Sequence, residues 1–207
     1  MISPDIGTIA DIAVSENIIV KTIFDIGCLD GEDGKYLKSR FLDSSLFLIE
    51  ADQETFAKNR ENYFGKNIYA FNCAIFDYDG EIKFFCKSGH GISSVFNRGD
   101  IYPGNISTVP CLTLDSFCEK YSVNQIDIMK LDVEGASFNV LMGAKKILSK
   151  TKLIHIETED VEYFHGQHLK EEVDEILKSM CFKLIKETSY HIDNGNQYDS
   201  IWINESI

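Results

Sequence analysis

Three observations predict an α/β fold built on a mostly parallel sheet. Short apolar runs at 22–26, 46–49, 68–72, 126–131 and 153–157 alternate with helix-like runs at 33–41, 54–63, 113–121 and 138–148. The short runs are nearly continuous in Ile, Leu, Val and Phe, as strands covered on both faces require. A turn holding Gly27, Gly31 and Gly34 joins the first run to the first helix, where parallel sheets bring ligands close to the backbone.

In chain order, residues 1–20 read as an N-terminal extension, and TIFDI at 22–26 as the first strand. The second strand ends in Glu50, Ala51 and Asp52, and the third in Asn72, Cys73 and Ala74. Residues 81–110 break the rhythm and read as an insertion or loop region over the active site. Within it EIKFF alternates like an antiparallel arm, and GHGISSVFNRG is a Gly/Ser-rich loop. After a helix near 170–180, FKLIKET and DSIWIN flank a segment with Asn194 and Gly195, which suits a hairpin. The sheet therefore ends in an antiparallel pair. With three prolines, no repeat and no low-complexity tract, a single domain over 1–207 is expected.

The 44% hydrophobic content is that of a globular chain, and the formal net charge of −13 argues against nucleic-acid partners and anionic membranes. No apolar run approaches the ~20 residues that span a bilayer, and the N-terminus lacks a basic start before an apolar block, so a cytoplasmic protein is expected. None of the six cysteines forms a CxxC, and several lie in strand-like runs, so buried thiols are expected rather than zinc or disulfides. Nothing in the sequence sets the oligomeric state.

In such a sheet a ligand sits beyond the strand carboxyl ends, where strand order reverses, which places Asp25–Gly31 in the crevice. Glu50, twenty-five residues after Asp25, has two oxygens suited to ribose hydroxyls, although a solvated loop acid is the plain alternative. Asp52 is close enough to approach an adenine edge. A pyrophosphate needs G-x-G-x-x-G, whereas this turn is D-x-G-x-x-x-G with Asp30, Glu32 and Asp33 following. Those acids suit a cationic ligand such as S-adenosylmethionine better than a dinucleotide. Gly27 and Gly31 are the expected close-approach positions, and Gly34 falls in the first helical turn.

A second stretch, IDIMKLDVEGASFNVLMGA at 126–144, ends a buried strand in Lys130, Asp132 and Glu134 before a helix. Alternate positions of an extended segment share one side, and three ionisable groups there cost desolvation unless paired or ligand-bound. A structural Lys130–Glu134 pair is the plain reading.

FDIGCLDGEDG, LIEAD, NCAIFDYDGEIKFF, ISSVF, VPCLTLDSF, IDIMKLDVEGASFNVLMGA and LIHIET occur in that order between residues 22 and 158. In this combination the chain resembles the FkbM-type methyltransferases, a family of S-adenosylmethionine-dependent O-methyltransferases. The resemblance implies a class I methyltransferase fold: a Rossmann-like three-layer sandwich with a seven-stranded, mostly parallel sheet and a C-terminal antiparallel hairpin. It implies that Asp25, Gly27, Cys28 and Gly31 lie under the methionine part of the cofactor. Glu50 would take the ribose hydroxyls, with Ala51 and Asp52 beside it in the cofactor site, and Asn72, Cys73 and Ala74 would lie near the adenine. Asp132 would face the ammonium or the methyl, and Ser93 and Ser94 would close over the cofactor. Cys28 and Leu29 stand where the family usually has alanine and asparagine, Ala51 where it often has proline, and Ser137 where it usually has an acid.

An alcohol acceptor is a poor nucleophile, so a base is expected beside the transferred methyl. Asp132 and Glu134 are the first candidates for it, with His90, His155 and Glu157 behind them. Mg²⁺ held by Asp132, Glu157 and Glu159 is a further option. By resemblance the acceptor is a small-molecule hydroxyl, most simply on a sugar, polysaccharide precursor or secondary metabolite. Tyr102, Tyr163, Phe164, His165 and His168 read either as an aromatic lid or as ordinary packing. A nicotinamide-dependent oxidoreductase and a non-catalytic cofactor-binding module are the alternatives from other classes.

Overall fold

The computed structural model describes residues 5–87, 91–99 and 105–207. Its elements are α1 (Ile6–Ser15), β1 (Thr22–Ile26), α2 (Glu32–Arg40), β2 (Ser45–Ile49), α3 (Gln53–Lys58), β3 (Ile68–Phe71), β4 (Ala74–Phe76) and β5 (Gly80–Cys86). These are followed by β6 (Asn105–Thr113), α4 (Leu114–Lys120), β7 (Ile126–Leu131), α5 (Ser137–Met142), α6 (Lys145–Leu148), β8 (Thr151–Glu159), α7 (Lys170–Ser179), β9 (Phe182–Ile192) and β10 (Gly195–Asn204). A 3₁₀ turn, Arg60–Tyr63, follows α3.

Seven strands form the main sheet in the order β3-β2-β1-β7-β8-β10-β9. Strands β3, β2, β1, β7 and β8 run parallel, and β10 is antiparallel to both β8 and β9. Strand order reverses between β1 and β7, so the crevice of an open α/β sheet falls at their carboxyl ends. The expected hairpin is β9–β10, turning at Asp193, whose φ of +50° puts it in the left-handed region.

Each strand splits its side chains between two cores, because successive residues face opposite ways. Phe24, Met129, Leu131 and Ile154 pack with Phe117, Val140 and Leu177 on the α4–α7 side. Ile23, Leu48, Ile128 and Leu153 pack with Leu37 on the α1–α2 side. The stretch expected as an extension contributes to this second core: Ile6, Ile9, Ala10 and Ala13 of α1 are fully buried. Their spacing is that of one helical face, a signal the apolar-run reading passed over.

A second sheet, β4-β6-β5, lies beside the first, with EIKFF in β5 antiparallel to β6 as its alternation predicts. Strands β4 and β6 were not expected. Pro110 inside β6 argues against a paired strand, yet β4 reaches only Cys111–Thr113, so Pro110 has a neighbour on one side alone. The helix expected over 138–148 breaks at Gly143. A Cβ there would stand 2.1 Å from the Phe76 carbonyl oxygen of β4, so the chain passes too close for a side chain.

Candidate active site

The turn after β1 is tighter than a ligand alone would demand. Gly27 has φ +78°, and a Cβ on it would lie 1.7 Å from the carbonyl oxygen of Asp132 at the end of β7. Gly27 N–H and Cys28 N–H both donate to the Ile49 carbonyl, at 2.9 and 3.1 Å. The glycine thus lets three strand ends converge backbone to backbone, and the space a side chain would need is taken by the protein itself. Gly31 (φ +74°) is likewise filled by protein, with the Tyr63 ring 3.1 Å from its would-be Cβ. Gly34, expected only as helix, donates its N–H to Asp25 Oδ2 at 2.9 Å, and a Cβ there would meet Leu48 at 2.8 Å. Asp25 is fully buried and outside the cavity wall, so it anchors α2 from beneath instead of facing a ligand.

Above this turn lies a cavity of about 320 Å³ between the carboxyl ends of β1, β2 and β7 and the second sheet. Gly27, Cys28, Leu29, Glu50, Ala51 and Asp132 contribute to its wall, and Cys73, Ala74, Ile75, Phe84 and Val95 close its apolar side. Glu50 Oε2 accepts from Leu29 N–H at 2.9 Å and Oε1 from Asp52 N–H at 2.8 Å. Each oxygen keeps a further lone pair. Burial pushes the Glu50 carboxyl up to about 7 against both donations.

Several expected ligand residues are engaged by the frame, although Asp52 and Ser93 also line the cavity. Asp52 Oδ1 caps α3 by accepting from Glu54 N–H (2.9 Å) and Thr55 N–H (3.2 Å), and its other oxygen receives Ser93 Oγ at 3.1 Å. Asn72 donates to the Glu50 and Ala51 carbonyls at 2.8 and 3.1 Å, bracing the strand end behind the cavity it was expected to line. Ser93 reaches the cavity wall, but Ser94 is buried and donates to the Glu134 carbonyl at 2.6 Å. The two serines therefore tie the segment after β5 to β2 and β7.

The end of β7 carries the charge. Lys130 Nζ lies 3.1 Å from Asp132, 3.4 Å from Asp33 and 3.5 Å from Asp25, so the expected partner Glu134 is not among its ion pairs. Burial alone would strip its proton, but the charges of Asp132, Asp25 and Asp33 outweigh that and hold Lys130 well above the ordinary lysine value. Glu134 has φ +50° and Gly135 φ +82°, a left-handed pair that swings the Glu134 side chain toward the end of β8. Carboxylate oxygens of Asp132, Glu134 and Glu157 lie within 4.8 Å of one another. Burial, then the charges of Asp132 and Glu159, raise Glu134 well above the ordinary range, and burial with Asp132 does the same to Glu157. Glu159, expected in the metal set, stays outside this group: it accepts from Gln167 Nε2 at 2.9 Å, and burial pushes it up to about 7.

His90 and Tyr102 lie outside the described residues. His155 is 1% exposed, beneath the Lys130 row and away from the cavity. Of the residues read as either a lid or packing, Phe164 lies under Gly135, the Tyr163 hydroxyl donates to the Ile192 carbonyl and His168 stacks on Phe138 at 3.7 Å, while His165 is exposed. Arg98 lies over the Tyr163 and Phe164 rings at 5.5 and 5.1 Å. Sequence reasoning undervalued two residues, Lys130 and Glu157. The lysine's position two before Asp132 in a buried strand was the available signal; for Glu157 it was the end of the neighbouring strand.

The chain is similar to known proteins. Residues 25–184 match the methyltransferase FkbM domain. The 2-O-methyltransferase NoeI of Sinorhizobium fredii (strain NBRC 101917 / NGR234) is 31% identical over 181 residues, covering 80% of this chain and 73% of that protein. Magnesium protoporphyrin IX methyltransferase (ChlM) from Synechocystis PCC 6803, solved with bound SAM, superposes with TM-score 0.55 at 8% identity, over 97% of this chain and 78% of that one. TrmK of M. capricolum, solved with S-adenosyl-homocysteine, gives TM-score 0.54 at 13% identity, over 99% and 70%. At such identities the structural matches show the class I methyltransferase fold alone. Among the described residues no helix is long and apolar enough to cross a membrane. The sequence match supplies what the fold does not, and sets aside the nicotinamide oxidoreductase reading: this chain belongs to the FkbM methyltransferase family.

Proposed function

We propose that the chain transfers a methyl group from S-adenosylmethionine to a hydroxyl of a small, sugar-like acceptor. One observation carries this reading: a ribose-type acid, Glu50, and an acidic trio, Asp132, Glu134 and Glu157, stand on either side of the β1–β7 reversal. The residues fit the cofactor. Glu50 offers two lone pairs to ribose hydroxyls, and Ala51, Cys73, Ala74 and Ile75 offer a slot for an adenine. The backbone of the β1 turn is closed against Asp132 and offers no anion cradle, which disfavours a pyrophosphate. When bound, S-adenosylmethionine supplies a methyl on a sulfonium, a carbon activated for in-line displacement.

The chain's own residues divide the remaining tasks. Asp132 stands against the Lys130 ammonium and presents a balanced carboxylate to a cationic ligand. Burial, then the charges of Asp132 and Glu159, raises the basicity of Glu134, and its carboxylate form is suited to take the acceptor's proton as the new bond forms. Glu157, held by Gln197 Nε2, is placed to accept a second hydroxyl and fix the acceptor's orientation. Hydroxyl donors suit this group of carboxylates, whereas a strongly anionic acceptor would be repelled. The relative named a 2-O-methyltransferase supports oxygen as the target atom.

The test is a methyl-transfer screen against free sugars and nucleotide sugars, reading S-adenosylhomocysteine release. An active acceptor should lose about 10²–10⁴-fold in turnover with Glu134→Gln, while S-adenosylhomocysteine affinity is retained. Unchanged turnover in Glu134→Gln would remove the base assignment, and transfer confined to amine acceptors would remove the hydroxyl reading.

A further inference from the structure

On the face of the sheet covered by α1 and α2, a second polar group is buried where the methyl-transfer reading has no use for it. Asp5, the residue preceding α1, His155 of β8 and Asp199 of β10 are 2%, 1% and 8% exposed. One ligating atom of each lies within 4.8 Å of the other two. Their hydrogen bonding is incomplete: among the described residues neither ring nitrogen of His155 has a hydrogen-bond partner, and neither does Asp5 Oδ2. Asp5 Oδ1 is held by Lys186 Nζ at 2.5 Å. Unpaired polar atoms at this depth are costly, and native cores seldom keep several together.

The separations have the form of a ligand set. His155 Nε2 and Asp199 Oδ1 are 3.6 Å apart, too long for a hydrogen bond. Two donors on one tetrahedral ion, each about 2.1 Å from it, stand about 3.4 Å apart. One imidazole with two carboxylates suits a borderline first-row ion better than Mg²⁺ or Ca²⁺, which prefer all-oxygen shells. We propose that Asp5, His155 and Asp199 form a structural site for a divalent transition ion of the Zn²⁺ or Mn²⁺ type, pinning the start of α1 to the central strands.

Its position gives it a consequence. Lys130 and His155 are partners in the β7–β8 register, so an ion on His155 would fix the strand that also carries Glu157. The Lys186 side chain is 41% exposed and able to turn to water, which relieves its repulsion of the ion and opens access.

The test uses the full chain after chelation and dialysis, titrated with ZnCl₂ and MnCl₂ in a calorimeter and followed by thermal unfolding. One equivalent should bind, and at a hundredfold excess over Kd the melting temperature should rise by about 5–10 °C. Asp199→Asn, close in shape, and His155→Gln should each weaken binding at least tenfold, while Glu134→Gln should leave it intact. Cobalt substitution should give a visible spectrum that His155→Gln alters. No binding and no thermal shift in the unaltered chain would overturn the proposal. So would binding that survives Asp199→Asn but is lost in Glu134→Gln, since the ion would then sit among the active-site acids.

Discussion

Replacing Gly27 with alanine separates two roles that a glycine in a ligand-binding turn can have. If it admitted a ligand, Gly27→Ala would abolish cofactor binding and leave the fold intact. The geometry predicts a different outcome. The new Cβ would stand 1.7 Å from the Asp132 carbonyl oxygen and 2.8 Å from its carbonyl carbon, both backbone atoms that no rotamer change can move. The φ of +78° adds about 1–2 kcal/mol for a residue with a Cβ. Forcing β1 and β7 apart belongs with overpacking, which costs about 1–3 kcal/mol or more. Together these approach about 3–5 kcal/mol against a typical total of about 5–15. For a chain of this length that is a loss of about 6–20 °C in melting temperature. Urea unfolding followed by circular dichroism, with S-adenosylhomocysteine affinity measured on the same samples, checks it. A variant that melts within about 2 °C of the parent while losing only ligand binding would refute the reasoning.

Two further outcomes follow from the buried charges. Lys130→Met leaves the fully buried Asp25 without its cation and should cost about 3–5 kcal/mol in urea unfolding. Burial already raises Asp25. Without Lys130 its folded value rises further, so the loss should be smaller at pH 5, where the carboxyl can be protonated, than at pH 8. Glu159 has a folded value of about 7 against an ordinary 4.5, so its contribution is fully present below pH 4.5 and is lost as pH rises through 7. Glu159→Gln keeps an acceptor for Gln167 and should raise the melting temperature at pH 8 but not at pH 4.5; an equal effect at both values would contradict the burial cause.

Much of the fold was legible because period and length agree with element type. β1 and β7 fall at the expected residues, since both are short, mostly apolar runs. Glu50 was legible as a strand-end acid twenty-five residues after Asp25. The purposes of the glycines were not. Their close approaches are to residues distant in sequence, Asp132 for Gly27 and Tyr63 for Gly31, and sequence spacing carries no information about such neighbours. Asn72 and Ser94 were assigned to the cofactor by their place in the chain, yet their side chains turn toward backbone carbonyls that only the folded strand ends bring near. Asp127, buried at the opposite end of β7, accepts from the Lys21 and Thr22 N–H groups at 2.7 and 3.0 Å and from Lys152 Nζ at 2.8 Å. An acid inside an apolar run was visible in the sequence; that its partners come from the start of β1 and from β8 was not.

The most direct measurement of the cofactor site is calorimetry of the chain with S-adenosylhomocysteine and, separately, with NAD. One equivalent of S-adenosylhomocysteine should bind and NAD should not. Glu50→Gln should weaken binding by about ten- to a hundredfold, the range for losing charged hydrogen bonds of about 1.5–3 kcal/mol. Binding of NAD in preference, or an unchanged affinity in Glu50→Gln, would contradict a methyl-donor site at the β1–β2 strand ends.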